Sequence, residues 1–69
     1  MKYIARISTK SGKLKFTTDI FDTREDAAKS AFARDPKAKL ASTSVAVQRG
    51  TEWYDMGKDI QWIRRDQVS

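Results

Sequence analysis

The sequence predicts an α+β domain: an antiparallel sheet of about five strands with one helix packed on one face, in the order β-β-α-β-β-β. Three observations lead there. Apolar and polar residues alternate from Lys13 to Ile20, and an alanine-rich stripe at helical spacing runs from Ala27 to Phe32. Turn residues then punctuate the second half around Gly50 and Gly57.

Residues 2–8 are β-branched and aromatic with partial alternation, as a half-buried strand requires. Thr9-Lys10-Ser11-Gly12-Lys13 reads as a tight turn in which Gly12 supplies a positive φ. In the strand that follows, Leu14, Phe16, Thr18 and Ile20 share one side, with Lys13, Lys15, Thr17 and Asp19 on the other. Asp22 or Thr23 caps the helix, each with an acid three residues on, and Glu25 and Asp26 suit the positive end of its dipole. Ala27, Ala28, Ala31 and Phe32 form a narrow apolar face that lies close to a sheet, with Phe32 as anchor. Asp35-Pro36 ends the helix, because a residue before proline disfavours the α region. A strand over 40–49, a turn at Arg49-Gly50-Thr51, a strand over 52–56, a turn at 56–59 and a last strand over 60–65 complete the sheet. Residues 66–69 are expected to be a frayed tail. The core is expected to hold Phe16, Ile20, Ala28 and Phe32 together, with at least one of Trp53 and Trp62 opposite the helix alanines.

The 69 residues make a single domain, 1–69, with no linker or repeat. A chain this short buries only about 60% of its unfolded surface, so its stability is marginal. It has no cysteine and therefore no disulfide framework. The opening lacks a long apolar region, and apolar runs never exceed two or three residues. The expectation is a cytoplasmic protein with no membrane partner, acting as monomer or homodimer.

Catalysis is not expected. Without His or Cys there is no imidazole base, no thiolate nucleophile and no zinc site on those ligands. The acids Asp19, Asp22, Glu25 and Asp26 surround a helix start, where capping accounts for them. Gly57-Lys58 lacks the rest of a phosphate-binding loop. We therefore expect no catalytic residues, no metal and no cofactor.

The net charge of +5 is unevenly spread. Residues 1–20 hold five bases and one acid, and residues 37–51 hold three bases and no acid. An antiparallel helix returns toward the first turn, so Arg34, Lys37 and Lys39 should meet Lys10 and Lys13. Lys58 should arrive with the fourth strand. These six are the candidate partner-binding residues. Arg49, Arg64 and Arg65 should form a smaller group at the opposite pole. With the aromatics Trp53, Tyr54 and Trp62 they are secondary candidates, since exposed aromatics beside bases suit base stacking or protein hot spots. Such an excess favours an acidic partner: nucleic acid, an anionic membrane or an acidic patch on another protein.

By layout the chain resembles small, basic, phage-encoded inhibitors of host defence, most nearly a type I-F anti-CRISPR family. The similarity lies in the opening hairpin, the helix with a small-residue face, and the aromatic ending Trp53-Tyr54-Asp55-Met56-Gly57-Lys58 followed by Trp62. It implies a non-catalytic inhibitor whose partner is a host protein or a CRISPR-like nucleoprotein complex, and transfers no individual binding residue. The alternative is a non-specific nucleic-acid-binding protein using the same bases.

Overall fold

The first strand, β1 (Lys2–Ser8), buries Ala5 and Ile7 on one side while Ile4 and Arg6 look to the other. This is the alternation a sheet with one covered face imposes. A computed structural model describes residues 1–9 and 11–68, with the backbone alone at Met56. The expected contact residue Lys10 and the terminal Ser69 lie outside this range. The turn closes as expected: Gly12 sits at φ 88°, and the Thr9 N–H donates to the Lys13 carbonyl at 2.7 Å.

Strand β2 (Leu14–Thr17) is shorter than the expected run to Ile20. Thr18 explains the break. Its hydroxyl oxygen accepts from the Ala5 N–H at 3.0 Å and the group donates to the Asp19 carbonyl at 2.8 Å, competing with the regular ladder. Pairing with β1 resumes as a bridge between Tyr3 and Phe21. The excursion shifts the two-residue alternation by one position, so Phe21 rather than Ile20 packs against the core. Phe16 reaches the core's margin, while Leu14 stays 57% exposed on the edge strand.

Helix α1 (Arg24–Arg34) is capped by Thr23, whose hydroxyl accepts from the Asp26 N–H at 3.1 Å. Its buried residues are the four expected ones, Ala27, Ala28, Ala31 and Phe32. Asp35 leaves the helix in an extended conformation, as its place before Pro36 demands. The small face lets the backbone sit close over Ala5, Ile7 and Ala41, with Phe16, Phe21, Ala38, Ile63 and Val68 around the edge.

Strands β3 (Leu40–Arg49) and β4 (Glu52–Arg64) complete a curled antiparallel sheet in the order β2-β1-β3-β4. The α+β architecture is as predicted, but its five extended segments fill four rows. Segments 52–56 and 60–64 both pair with β3, in one continuous strand. The expected turn at 56–59 is a bulge: β4 has 13 residues opposite the 10 of β3, and register shifts at Thr43/Val45 and Val45/Ala46 absorb the excess. Gly57 and Asp59 adopt positive φ there, 64° and 52°. The chain kinks without reversing. Its end therefore reaches the start of β3, pairing Arg64 with Leu40.

Two further expectations change. Neither tryptophan enters the core: Trp62 pairs with Ser42 on the face away from the helix and is 58% exposed, and Trp53 is 37% exposed. With alanines lying close to the sheet, Ile63 and Val68 fill the space a tryptophan was expected to occupy. The tail is docked, because residues Arg65–Gln67 form a 3-10 turn that brings Val68 against the core.

Candidate basic binding surface

One end of the molecule gathers the turn before β2, the end of α1, the connection into β3 and the end of β4. Lys13 stands on the first of these. Arg34 is in the last helical turn, its guanidinium 4.3 Å from the centre of the Phe16 ring and donating to the Thr17 carbonyl at 3.4 Å. Lys37 and Lys39 lie on the connection. Lys15, on β2, pairs with Asp35 at 2.9 Å. Among the described residues, Lys13, Lys37 and Lys39 have no acidic partner, so their charge faces solvent unopposed.

Of the six principal candidates, Lys37 and Lys39 line one hollow, Arg34 lies over Phe16 in the last turn of α1, and Lys13 is bonded through its backbone to Thr9, which also lines that hollow. Lys58 is apart from these. It lies opposite Val45 within the bulge, well along the sheet from this end. Of the three arginines expected at the far pole, only Arg49 is there, opposite Glu52 at the tip of the β3–β4 hairpin. Arg64 and Arg65 belong to the lysine end, and the cause is again the bulge. A second reversal at 56–59 would have sent β4's end away, whereas an unreversed strand carries it back beside Lys39.

The basic pole thus comprises Lys13, Lys15, Arg34, Lys37, Lys39, Arg64 and Arg65 against Asp35 and Asp66. Seven cations oppose two carboxylates, an excess equal to the whole chain's +5. The bases do not share one role. Arg65 is structural: it donates to the carbonyls of Ala38 (2.7 Å), Asp35 (2.7 Å) and Phe32 (3.2 Å), and its guanidinium lies 4.8 Å from the Phe32 ring centre. Arg64 pairs with exposed Asp66 at 3.3 Å.

The Lys15 ammonium holds the Asp35 carboxyl below the usual carboxylate range, opposed by partial burial and helped by the Lys37 N–H. A depressed carboxyl pKa stabilises the fold fully above the unfolded carboxylate range and loses that contribution as pH falls through the lowered value. Melting temperatures at pH 7 and pH 3 should therefore differ less in Lys15→Gln than in the wild type. An unchanged difference would remove this pair from the acid response. Asp22, lowered in the same way by Lys2, keeps part of that response in both proteins.

The sheet face away from the helix carries a polar floor. Arg6 forms an ion pair with Asp55 and reaches the Ser42 hydroxyl at 3.4 Å. The Asp55 carboxylate also accepts from the Ser44 hydroxyl at 2.7 Å and from the Gly57 N–H at 2.9 Å, which ties the bulge to this floor. Beside it, Leu40, Ile60 and Trp62 wall a groove of about 540 Å³ that opens past Ser8, Thr9 and Gly12. A second hollow, of about 600 Å³, lies among Lys15, Asp35, Lys37 and Lys39 and shares Ser8, Thr9 and Leu40 with the first. The groove and the hollow that Lys15, Lys37 and Lys39 line are therefore neighbours, with three residues in common. Trp53 and Tyr54 are elsewhere, opposite Gln48 and Val47 toward the hairpin tip. The Tyr54 hydroxyl donates to Glu52 at 2.7 Å, and that carboxylate raises the phenol's pKa.

Sequence reasoning missed Lys15, Arg6, Leu40 and Ile60 as members of this surface. The alternation Leu40, Ser42, Ser44 marks one face of β3, but only the register against β4 places Trp62 on it. Compared with family profiles, curated proteins and solved structures, the chain matches none. Among the described residues, no helix is long and apolar enough to cross a membrane.

Proposed function

We propose that this is a non-catalytic binding domain whose basic pole docks on a polyanionic surface, and that it acts in a host cytoplasm as a phage-type inhibitor of a CRISPR-like nucleoprotein complex. The observation that carries the reading is the polarisation of charge: three unopposed lysines and four further cations surround one end, while the rest of the described chain is close to neutral. Clustered charge of one sign steers association and fixes orientation on a partner of opposite sign. The defence-complex assignment comes from the likeness in layout to the anti-CRISPR inhibitors. The runner-up, nucleic-acid binding by the same bases, is favoured by the exposed Trp62 beside the pole.

The test compares two double reversals that change net charge equally, with heparin as a simple polyanion and a purified type I-F effector complex as the specific target. Lys13→Glu with Lys37→Glu should weaken both interactions at least about tenfold, because the pole acts through a shared field. Arg49→Glu with Lys58→Glu, away from the pole, should cost far less. Exposed substitutions usually shift stability by less than about 0.5 kcal/mol, so both variants should fold. Equal weakening by the two doubles would mean that only net charge matters.

A further inference from the structure

We propose that the open-face groove binds single-stranded nucleic acid, one base stacking on Trp62 while the adjoining phosphates run toward Lys39 and Lys37; this rests on the basic pole being the binding surface. Trp62, Ile60 and Leu40 are 58%, 50% and 44% exposed. For a 69-residue chain that is a large apolar outlay on the one sheet face without a covering layer. Their floor is preorganised, because Arg6 is held by Asp55 and Ser42, so a planar group meets a fixed surface. The groove borders the lysine-lined hollow, the two sharing Ser8, Thr9 and Leu40.

An indole wall next to unopposed ammonium groups matches a polymer that alternates planar rings with phosphates. An acidic peptide would use the lysines and leave the apolar groove empty. A duplex keeps its base faces stacked and unavailable to Trp62, and only an unpaired strand can present one. The chemistry therefore selects single strands over both.

The probe is a fluorescein-labelled 15-mer of deoxythymidine, with a duplex of the same length and polyglutamate as comparators. The oligomer should bind more tightly than either comparator and quench the tryptophan emission of a Trp53→Phe background, in which only Trp62 emits. Trp62→Ala should weaken it about 5–150-fold, the usual loss for one stacked base, and Trp62→Phe should restore most of that affinity. Since Trp62 lies outside the core, both variants should melt within a few degrees of the parent. If Trp62→Ala binds the oligomer as the parent does while Lys13→Glu/Lys37→Glu weakens it, the stacking site is wrong and the basic pole stands. If the lysine double has no effect either, the pole itself is wrong. Polyglutamate binding as tightly as the oligomer would also overturn the assignment to nucleic acid.

Discussion

Phe32→Ala should leave the domain largely unfolded at 37 °C. Phe32 is 3% exposed and is the largest side chain that α1 sends into the core, whose other helix contributions are alanines. Truncating a buried phenylalanine costs about 3–5 kcal/mol through lost transfer energy and the cavity left behind. Neighbouring alanines have no rotamers with which to refill that space. At about 0.05–0.15 kcal/mol per residue, total stability for this length is roughly 3–10 kcal/mol. One substitution therefore removes much or all of it. Thermal unfolding followed by circular dichroism reads the effect directly, with exposed Ala33→Ser as the control. A Phe32→Ala variant melting within a few degrees of wild type would contradict the packing of α1 on the sheet.

Arg65→Ala should be nearly as damaging, although Arg65 is a charged residue on a basic surface. Its guanidinium donates to the Phe32 carbonyl in the last turn of α1 and to the Asp35 and Ala38 carbonyls in the segment that follows, and covers the Phe32 ring. A helix end leaves a carbonyl such as that of Phe32 without an intrahelical partner, and losing the charge-assisted bonds to all three carbonyls costs about 2–4 kcal/mol in total. Lysine keeps the charge but cannot span three acceptors with a planar fork, so Arg65→Lys should recover only part of the loss. Arg64→Ala next door removes only an exposed ion pair and should cost less than about 1 kcal/mol. Urea midpoints for the three variants decide it. If Arg65→Ala and Arg64→Ala unfold together, the guanidinium does not hold the helix end.

Local signals were the legible ones. Thr23, the alanine stripe, Gly12 and Pro36 act within a few residues of themselves, and each marked its turn or cap in the linear chain. The helix and most of the strands followed, as did the return of the helix end toward β2, where Asp35 pairs with Lys15, which needs only one antiparallel return. What sequence could not convey was non-local. Gly57 and Asp59 carry the chemistry of a turn, and whether such residues reverse a strand or merely bulge it depends on the length of the partner strand. The misplacement of Lys58, Arg64 and Arg65 all descends from that one ambiguity. Thr18 did the same on a smaller scale, moving Phe21 into the place expected of Ile20. The expectation of at least one buried tryptophan failed for another reason: hydrophobicity says a tryptophan belongs inside, whereas pairing with Ser42 puts Trp62 on the open face and pairing with Gln48 puts Trp53 toward the hairpin tip.

The bulge in β4 also bears on how the molecule behaves among copies of itself. In a sheet ordered β2-β1-β3-β4, the two outer strands present unpaired N–H and C=O groups that another chain can extend, which is how fibrils begin. β2 limits the hazard by brevity, offering four residues with Lys15 among them. β4 is long enough to be dangerous, but left-handed residues at Gly57 and Asp59 break its outer row of donors and acceptors, and Lys58 adds a charge between them. No incoming strand can follow that edge for its whole length without copying the kink. The irregularity that carries Arg64 and Arg65 to the end of the sheet where β3 begins thus also interrupts the one long edge along which another strand could add.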